Sequence, residues 1–249
     1  MTEKKMLEKK MRLDRYLVHV GYGSRSIVQK IIKQKRVQVD DQVINKPEYG
    51  VVVGKQTVKI NGEVVVYKEF YHFIMNKPGD VITATRDNVH TTVVDLLDEM
   101  DQNKEVAPVG RLDKDTEGLL LLTNDGKLTH SLLSPKKHVD KVYYAKVAGK
   151  VTEEDVVAFS KGIELGDGTM CMPAKLEILT AGEESEVHIT IKEGKFHQVK
   201  RMIANCGKEV TYLQRIKMGG FSLPEDLELG CYRELTEKEL RLLKEDDSE

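Results

Sequence analysis

Four consecutive leucines, Leu119 to Leu122, bounded by Gly118 and by Thr123-Asn124-Asp125-Gly126, constrain this chain more than any other feature. A run with no polar residue cannot alternate between core and solvent, so it reads as a short strand buried on both faces. The residues just before it are the opposite in character. G-R-L-D-K-D-T-E-G crowds Arg111, Asp113, Lys114, Asp115 and Glu117 into seven positions. A charged loop emptying into such a strand is held rigidly at the edge of a core, where a reactive carboxylate can be positioned. The same composition also suits a plain polar turn. Spacing alone does not separate Asp113, Asp115 and Glu117.

The chain of 249 residues is long enough for one large domain or two smaller ones. No run approaches the roughly 18 apolar residues of a membrane span, and M-T-E-K-K-M-L-E-K-K is no apolar leader, so a cytoplasmic protein is expected. Cys171, Cys206 and Cys231 have neither disulfide nor zinc spacing, and the histidines form no ligand pair, so no metal site is expected. The net charge of −2 hides strong segregation. Met11 to Lys46 carries eight Lys/Arg against three acids, Gly194 to Lys217 six against one, and Glu225 to Glu249 ten acids against four bases. A polyanion responds to such local patches and not to the overall isoelectric point.

Residues 1–10 read as a disordered tail and 244–249 as an acidic tail. Between them the hydrophobic pattern gives two units, 11–68 and 69–243. In the first, Leu13, Leu17 and Val20 mark one short helix. Ser24 caps a second, with Ile27, Val28, Ile31 and Ile32 inward. V-Q-V-D-D-Q-V-I and T-V-K-I-N-G-E-V-V-V form hairpins turning at Asp40-Asp41 and Asn61-Gly62. In the second unit the pattern predicts strands over 71–75, 119–123, 141–147, 175–179, 186–192 and 210–217. It predicts helices over 92–99, 127–133, 153–161, 196–206 and 237–243, the last with a Thr236/Glu239 capping box. Strands outnumber helices, so the class is α+β: a helix-rich N-terminal module, then a larger domain with a mainly antiparallel sheet flanked by helices.

Three further features bear on chemistry. In K-V-Y-Y-A-K-V, Tyr143 and Tyr144 face opposite sides of a strand, so one can be core while the other lines a site. In E-G-K-F-H-Q-V-K-R-M, Gly194 turns the chain out of a strand and a helix follows. Its Val199, Met202, Ile203 and Cys206 face inward, leaving Lys200 and Arg201 beside or away from that stripe. In M-R-L-D-R-Y-L…S-R…K-R-V-Q-V-D, basic residues ride on a short helix pair.

That last pattern resembles the RNA-binding module of the ribosomal-protein-S-four type. The resemblance implies docking on structured rRNA through Arg12, Arg15, Arg25, Lys30, Lys33, Lys35 and Arg36. G-R-L-D-x-D-T-x-G-L-L-L-L-T-N-D-G with K-x-Y and E-G-x-x-H-Q-V-K-R-M resembles the rRNA pseudouridine synthases of the RsuA/RluB class, over nearly all of residues 11–243. The resemblance implies their fold and their reaction, in which the glycosidic bond of a uridine breaks, the base rotates and a bond forms to its carbon five. By match to those motifs, Asp113 initiates glycosidic cleavage, Tyr143 stacks on the flipped base, and Lys200 pairs with the aspartate. Arg111 fills the gap left by the extruded nucleotide, although an ion pair with Asp115 is its simple alternative. Lys195, Arg201, Arg215 and Lys217 would track phosphates, and His197 would order its loop without acting directly. The reaction conserves every atom, so no cofactor is expected. The expected partner is small-subunit rRNA, met as a monomer. Large-subunit rRNA as target, or a non-catalytic rRNA-clamping assembly factor, are the alternatives.

Overall fold

The computed structural model describes residues 9–134 and 137–243. It divides into two compact units, one running to Tyr71 with Leu97–Val106 added, the other comprising His72–Leu96 and the chain from Ala107. Residues 1–8 and 244–249, which hold most of the N-terminal tail and all of the acidic one, lie outside the described residues. Lys10, expected in that tail, instead opens strand β1.

In the first unit β1 (Lys10–Arg12) pairs antiparallel with β4 (Gly50–Val52). Helices α1 (Leu13–His19) and α2 (Arg25–Lys33) come next, and Ser24 caps α2 by accepting from the Ile27 amide. Strands β2 (Val37–Val39), β3 (Gln42–Ile44), β5 (Val58–Ile60) and β6 (Glu63–Val65) form a small antiparallel sheet in the order β3-β2-β5-β6. Its hairpins turn at Asp40-Asp41 and Asn61-Gly62, four residues with positive φ, as the two-residue primed turns require. Leu13, Leu17, Val28 and Ile32 pack with Val37, Val39, Val58 and Ile60 in one core. The expected inward face of α2 is too broad: Val28 and Ile32 are buried, Ile31 is half-buried and Ile27 is exposed. The nine-residue α2 buries only its Val28–Ile32 row.

The segment Leu97–Val106 joins this unit through Asn103, whose Nδ2 donates to the Gly21 carbonyl (3.3 Å), and through Lys104, 4.5 Å over the Tyr71 ring. The helix expected over 92–99 is absent. Thr92 donates from its amide and its hydroxyl to Asp95, closing a local turn, and only α3 (Glu99–Gln102) is helical. The β-branched run Thr91-Thr92-Val93-Val94 has weak helix propensity, and a threonine–aspartate turn outcompetes it.

The second unit is built on a nine-stranded sheet. Its strands are β7 (His72–Lys77), β8 (Ala107–Pro108), β9 (Glu117–Thr123), β10 (Lys141–Ala148), β11 (Lys175–Thr180), β12 (Glu184–Ile191), β13 (Glu209–Met218), β14 (Phe221–Ser222) and β15 (Tyr232–Glu234). The main path is β11-β12-β10-β13-β9-β7-β15, antiparallel except between β9 and β13. Helices α4 (Gly126–Leu133), α5 (Glu153–Lys161), α6 (Gln198–Asn205) and α7 (Glu237–Leu242) complete it. All four leucines of β9 are buried, with Leu119 and Leu121 in a cluster with Leu128 and Leu132 of α4. Thr236 and Glu239 form the expected capping box. Among the described residues no helix is long and apolar enough to cross a membrane.

One backbone approach holds the middle of this sheet. Gly118, at φ +99°, lies so close to β13 that a Cβ would sit 2.3 Å from the Arg215 carbonyl oxygen and 2.9 Å from its amide nitrogen. Gly118→Ala should therefore destabilise the protein by about 2 kcal/mol or more, since both the positive φ and the pairing of β9 with β13 oppose a side chain. Urea denaturation tests this. A midpoint within error of wild type would show that the two strands can part without cost.

Candidate active site

The charged loop ahead of β9 borders a cavity of about 600 Å³ in the second unit. Of the three rival carboxylates, Asp113 lines it and Asp115 and Glu117 do not. Glu117 instead accepts from the Tyr212 hydroxyl (2.7 Å); burial, joined by that bond, drives the phenol pKa up. Asp115 accepts from Lys200 Nζ at 2.6 Å, and that bond holds its pKa down. Lys200 also reaches Asp113 Oδ2 at 3.5 Å, and His197 Nε2 stands 3.6 Å from Asp113 Oδ1. Lys200 thus spans two aspartates and is closer to Asp115 than to its expected partner.

The loop is pinned from below. Lys77, at the end of β7, is fully buried and its ammonium donates to the carbonyls of Pro78 (2.9 Å), Lys114 (3.1 Å) and Thr116 (2.8 Å). Burial lowers its pKa to about 8, against the opposing pull of Glu117, Asp115, Asp113 and Asp80. Thr83 adds a second tether, its hydroxyl donating to the Leu112 carbonyl (2.8 Å). The Thr116 amide donates back to the Asp113 carbonyl (3.1 Å), closing the turn. Three separate attachments therefore fix the backbone around Asp113.

Tyr143 is buried and lines the cavity, while Tyr144, on the other face of β10, packs edge-on against His188 and Tyr212. Arg111 is exposed at the cavity and has no ion pair among the described residues, so Lys200 alone bridges Asp115. His197 opens α6 with left-handed backbone (φ 49°), so the helix starts at Gln198 and not at Phe196. Phe196, 68 % exposed, stacks on the His197 ring at 3.8 Å. Val199, Met202 and Ile203 face inward as expected, whereas Cys206 is only half-buried.

The residues expected to track phosphates fall into three groups. Arg215 is not on an outer surface: 2 % exposed, it projects into the cavity wall from a position opposite Tyr143 in the β10–β13 ladder. Lys195 is bonded to Glu193 and to the Met170 carbonyl, and Arg201 to Asp167 at 2.6 Å. Lys217 is half-buried. In the N-terminal unit Arg12 and Arg25 are exposed but tethered to Asp14, a buried carboxylate that also accepts from the Arg15 amide and Gln29. The Arg12 guanidinium, opposed by burial and helped by those other donors, brings the Asp14 pKa down to about 2. Arg36 donates to Asn61, and Arg15, Lys30, Lys33 and Lys35 are exposed without ion pairs among the described residues. Two cavity residues lie within the quoted motifs but are given no role there. Lys141 precedes Tyr143 by two and so shares its face, a signal the strand period carries. Phe196 lines the cavity ahead of α6, where the pattern predicts the first turn of a helix.

Lys77→Met should free the loop by removing the donor to three carbonyls. Hydrogen exchange at the Thr116 amide is expected to rise about tenfold or more. Unchanged exchange would mean that the turn and Thr83 suffice.

A family model described as RNA pseudouridylate synthase matches residues 71–205, and an S4 domain matches 11–57. Among curated relatives, a Bacillus subtilis protein called an uncharacterized RNA pseudouridine synthase is 47 % identical, over 94 % of this chain and 99 % of its own. Ribosomal small subunit pseudouridine synthase A of Escherichia coli is 36 % identical, over 92 % and 98 %. Ribosomal large subunit pseudouridine synthase B of B. subtilis is 37 % identical, over 94 % and 95 %. A crystal structure of a pseudouridylate synthase superposes with a TM-score of 0.66 at 35 % identity, over 94 % of this chain and 99 % of that one. With its charged loop, buried β9 and Asp113-lined cavity, the chain belongs to the RNA pseudouridine synthase family.

Proposed function

We propose that this enzyme isomerises one uridine of ribosomal RNA, in the small subunit, with Asp113, Tyr143 and Lys200 as the reacting constellation. The observation that carries the reading is that Asp113 alone of three neighbouring carboxylates lines the cavity, on a backbone tethered by Lys77 and Thr83. Asp113 starts the cleavage of C1′–N1, either by attack on C1′ or by removal of a sugar proton. Tyr143 stacks on the extruded base while it turns. A C1′–C5 bond then forms, and the proton lost from C5 is matched by one gained at N1. Lys200 balances the Asp113 charge, and the exposed Arg111 occupies the place of the flipped nucleotide. The exposed cations Arg15, Lys30, Lys33 and Lys35, with the tethered Arg12 and Arg25, dock the rRNA backbone. The enzyme works in the cytoplasm as a monomer and needs no cofactor, because the isomerisation conserves every atom. A large-subunit target is the second reading, favoured by the synthase B relative.

Mapping pseudouridines across rRNA from a strain lacking the protein decides the target. Loss of one small-subunit site is expected; loss of a large-subunit site would move the target, and an unchanged map would leave only a clamping role. Asp113→Asn should lower turnover by about a thousandfold or more while RNA affinity stays within about twofold. Residual activity within tenfold of wild type would remove Asp113 from the chemistry. Replacing Lys30, Lys33 and Lys35 together by Gln should flatten the salt dependence of rRNA binding by about two units of log–log slope. An unchanged slope would place the docking surface elsewhere.

A further inference from the structure

Of the cavity's cations that the scheme above does not use, Lys192 and Lys195 stand by carboxylates, and Lys141 and Arg215 do not. Arg215 stands opposite Tyr143 across the β10–β13 ladder, and Lys141 lies two residues before Tyr143 on the same face. All three line the cavity with Asp113. Arg215 spends its Nε on the Leu119 carbonyl (2.8 Å), and its Nη2 is buried with no hydrogen-bond partner. Lys141, 9 % exposed, gives one of its three protons to the Val139 carbonyl (2.8 Å). Neither makes an ion pair with a carboxylate among the described residues. Asp140, the nearest acid in sequence, stands 3.9 Å from Lys192 instead. Burial lowers the Lys141 pKa to about 8, with the Arg215 charge adding to the fall and Asp140 opposing it.

Two desolvated cations with unused donors make a site for negative charge, and an orphaned guanidinium nitrogen in a cavity wall calls for an acceptor that arrives with the ligand. Charge is therefore arranged in order of burial. Asp113, its side chain 26 % exposed, has Lys200 and His197 beside it. Lys141 and Arg215 are the more deeply buried pair. This order suits a nucleoside being split.

Resting on the functional reading above, we propose that Lys141 and Arg215 bind the detached base as its anion. When C1′–N1 breaks, the electron pair of that bond goes to the base, giving uracilate with its charge spread over N1, O2 and O4. Lys141 and Arg215 donate to those atoms and stabilise the leaving group, whichever way Asp113 engages the sugar. The pair acts on the base while Asp113 acts on the ribose. A phosphate bound by the same two cations is the competing occupant.

The test compares uridine with 5-fluorouridine at the mapped rRNA site. Fluorine makes the departing base more acidic, so its departure needs less electrostatic help. Because fluorine blocks the final loss from C5, the quantity read on both substrates is single-turnover disappearance of the original nucleoside, by nuclease digestion and mass spectrometry. Lys141→Met should slow uridine cleavage by about thirtyfold or more and 5-fluorouridine cleavage by about fivefold or less, with RNA affinity unchanged. Arg215→Lys, which keeps a cation should Arg215→Gln fail to fold, should show the same sign with a smaller loss. Equal losses on the two substrates, or a loss of RNA affinity without a loss of rate, would overturn the proposal and favour the phosphate. No loss at all would overturn it too. A wild-type chain that cleaves neither substrate would overturn the functional reading, and this proposal with it.

Discussion

The close approach of Gly118 to the backbone of Arg215 is the constraint on which the catalytic unit depends. It joins β9 to β13 as the parallel step of an otherwise antiparallel sheet, through residues 97 positions apart in the chain. On one side of the junction is the loop carrying Asp113. On the other is β13, whose antiparallel partner β10 carries Tyr143. A side chain at residue 118 would push these apart, and with them the carboxylate and the aromatic ring that meet in one cavity. The Lys77 clamp is the second part of the same device, since it fixes the loop backbone at Lys114 and Thr116 relative to β7. A buried ammonium satisfied by three carbonyls is a costly element, and it is kept where positioning matters.

Charge is distributed to match. Several basic residues beside the site are committed: Lys195 to Glu193, Arg201 to Asp167, Lys200 to two aspartates. Lys141 and Arg215, buried in the cavity wall, have no carboxylate partner among the described residues. In the N-terminal unit one buried aspartate, Asp14, gathers Arg12, Arg25 and the Arg15 amide, so part of the basic surface is built from below and not merely exposed. A surface held by such a tether loses less conformational freedom when it meets a polyanion.

Much of the architecture was legible residue by residue. The four-leucine strand, the hairpin turns at Asp40-Asp41 and Asn61-Gly62, the Ser24 cap and the Thr236/Glu239 box all depend on neighbours within a few positions. The failures have equally local causes. The Thr92–Glu99 segment prefers a side-chain turn to a helix, and α6 begins late because His197 takes left-handed backbone. The burial of Arg215 opposite Tyr143 depends on the β10–β13 pairing, which no local pattern carries.

The sequence by itself determined that a charged loop precedes a doubly buried strand, that Tyr143 and Tyr144 face opposite ways, and which three motifs the family shares. These follow from periodicity, turn chemistry and residue type, which act over short stretches of chain. Only the tertiary structure decided which of Asp113, Asp115 and Glu117 faces the cavity. That choice is made by groups distant in the chain: Lys77 holding the loop, Tyr212 occupying Glu117 and Lys200 drawing on Asp115. No local rule contains those partners, because hydrogen bonds between β7, β13, α6 and the loop exist only after the sheet has assembled.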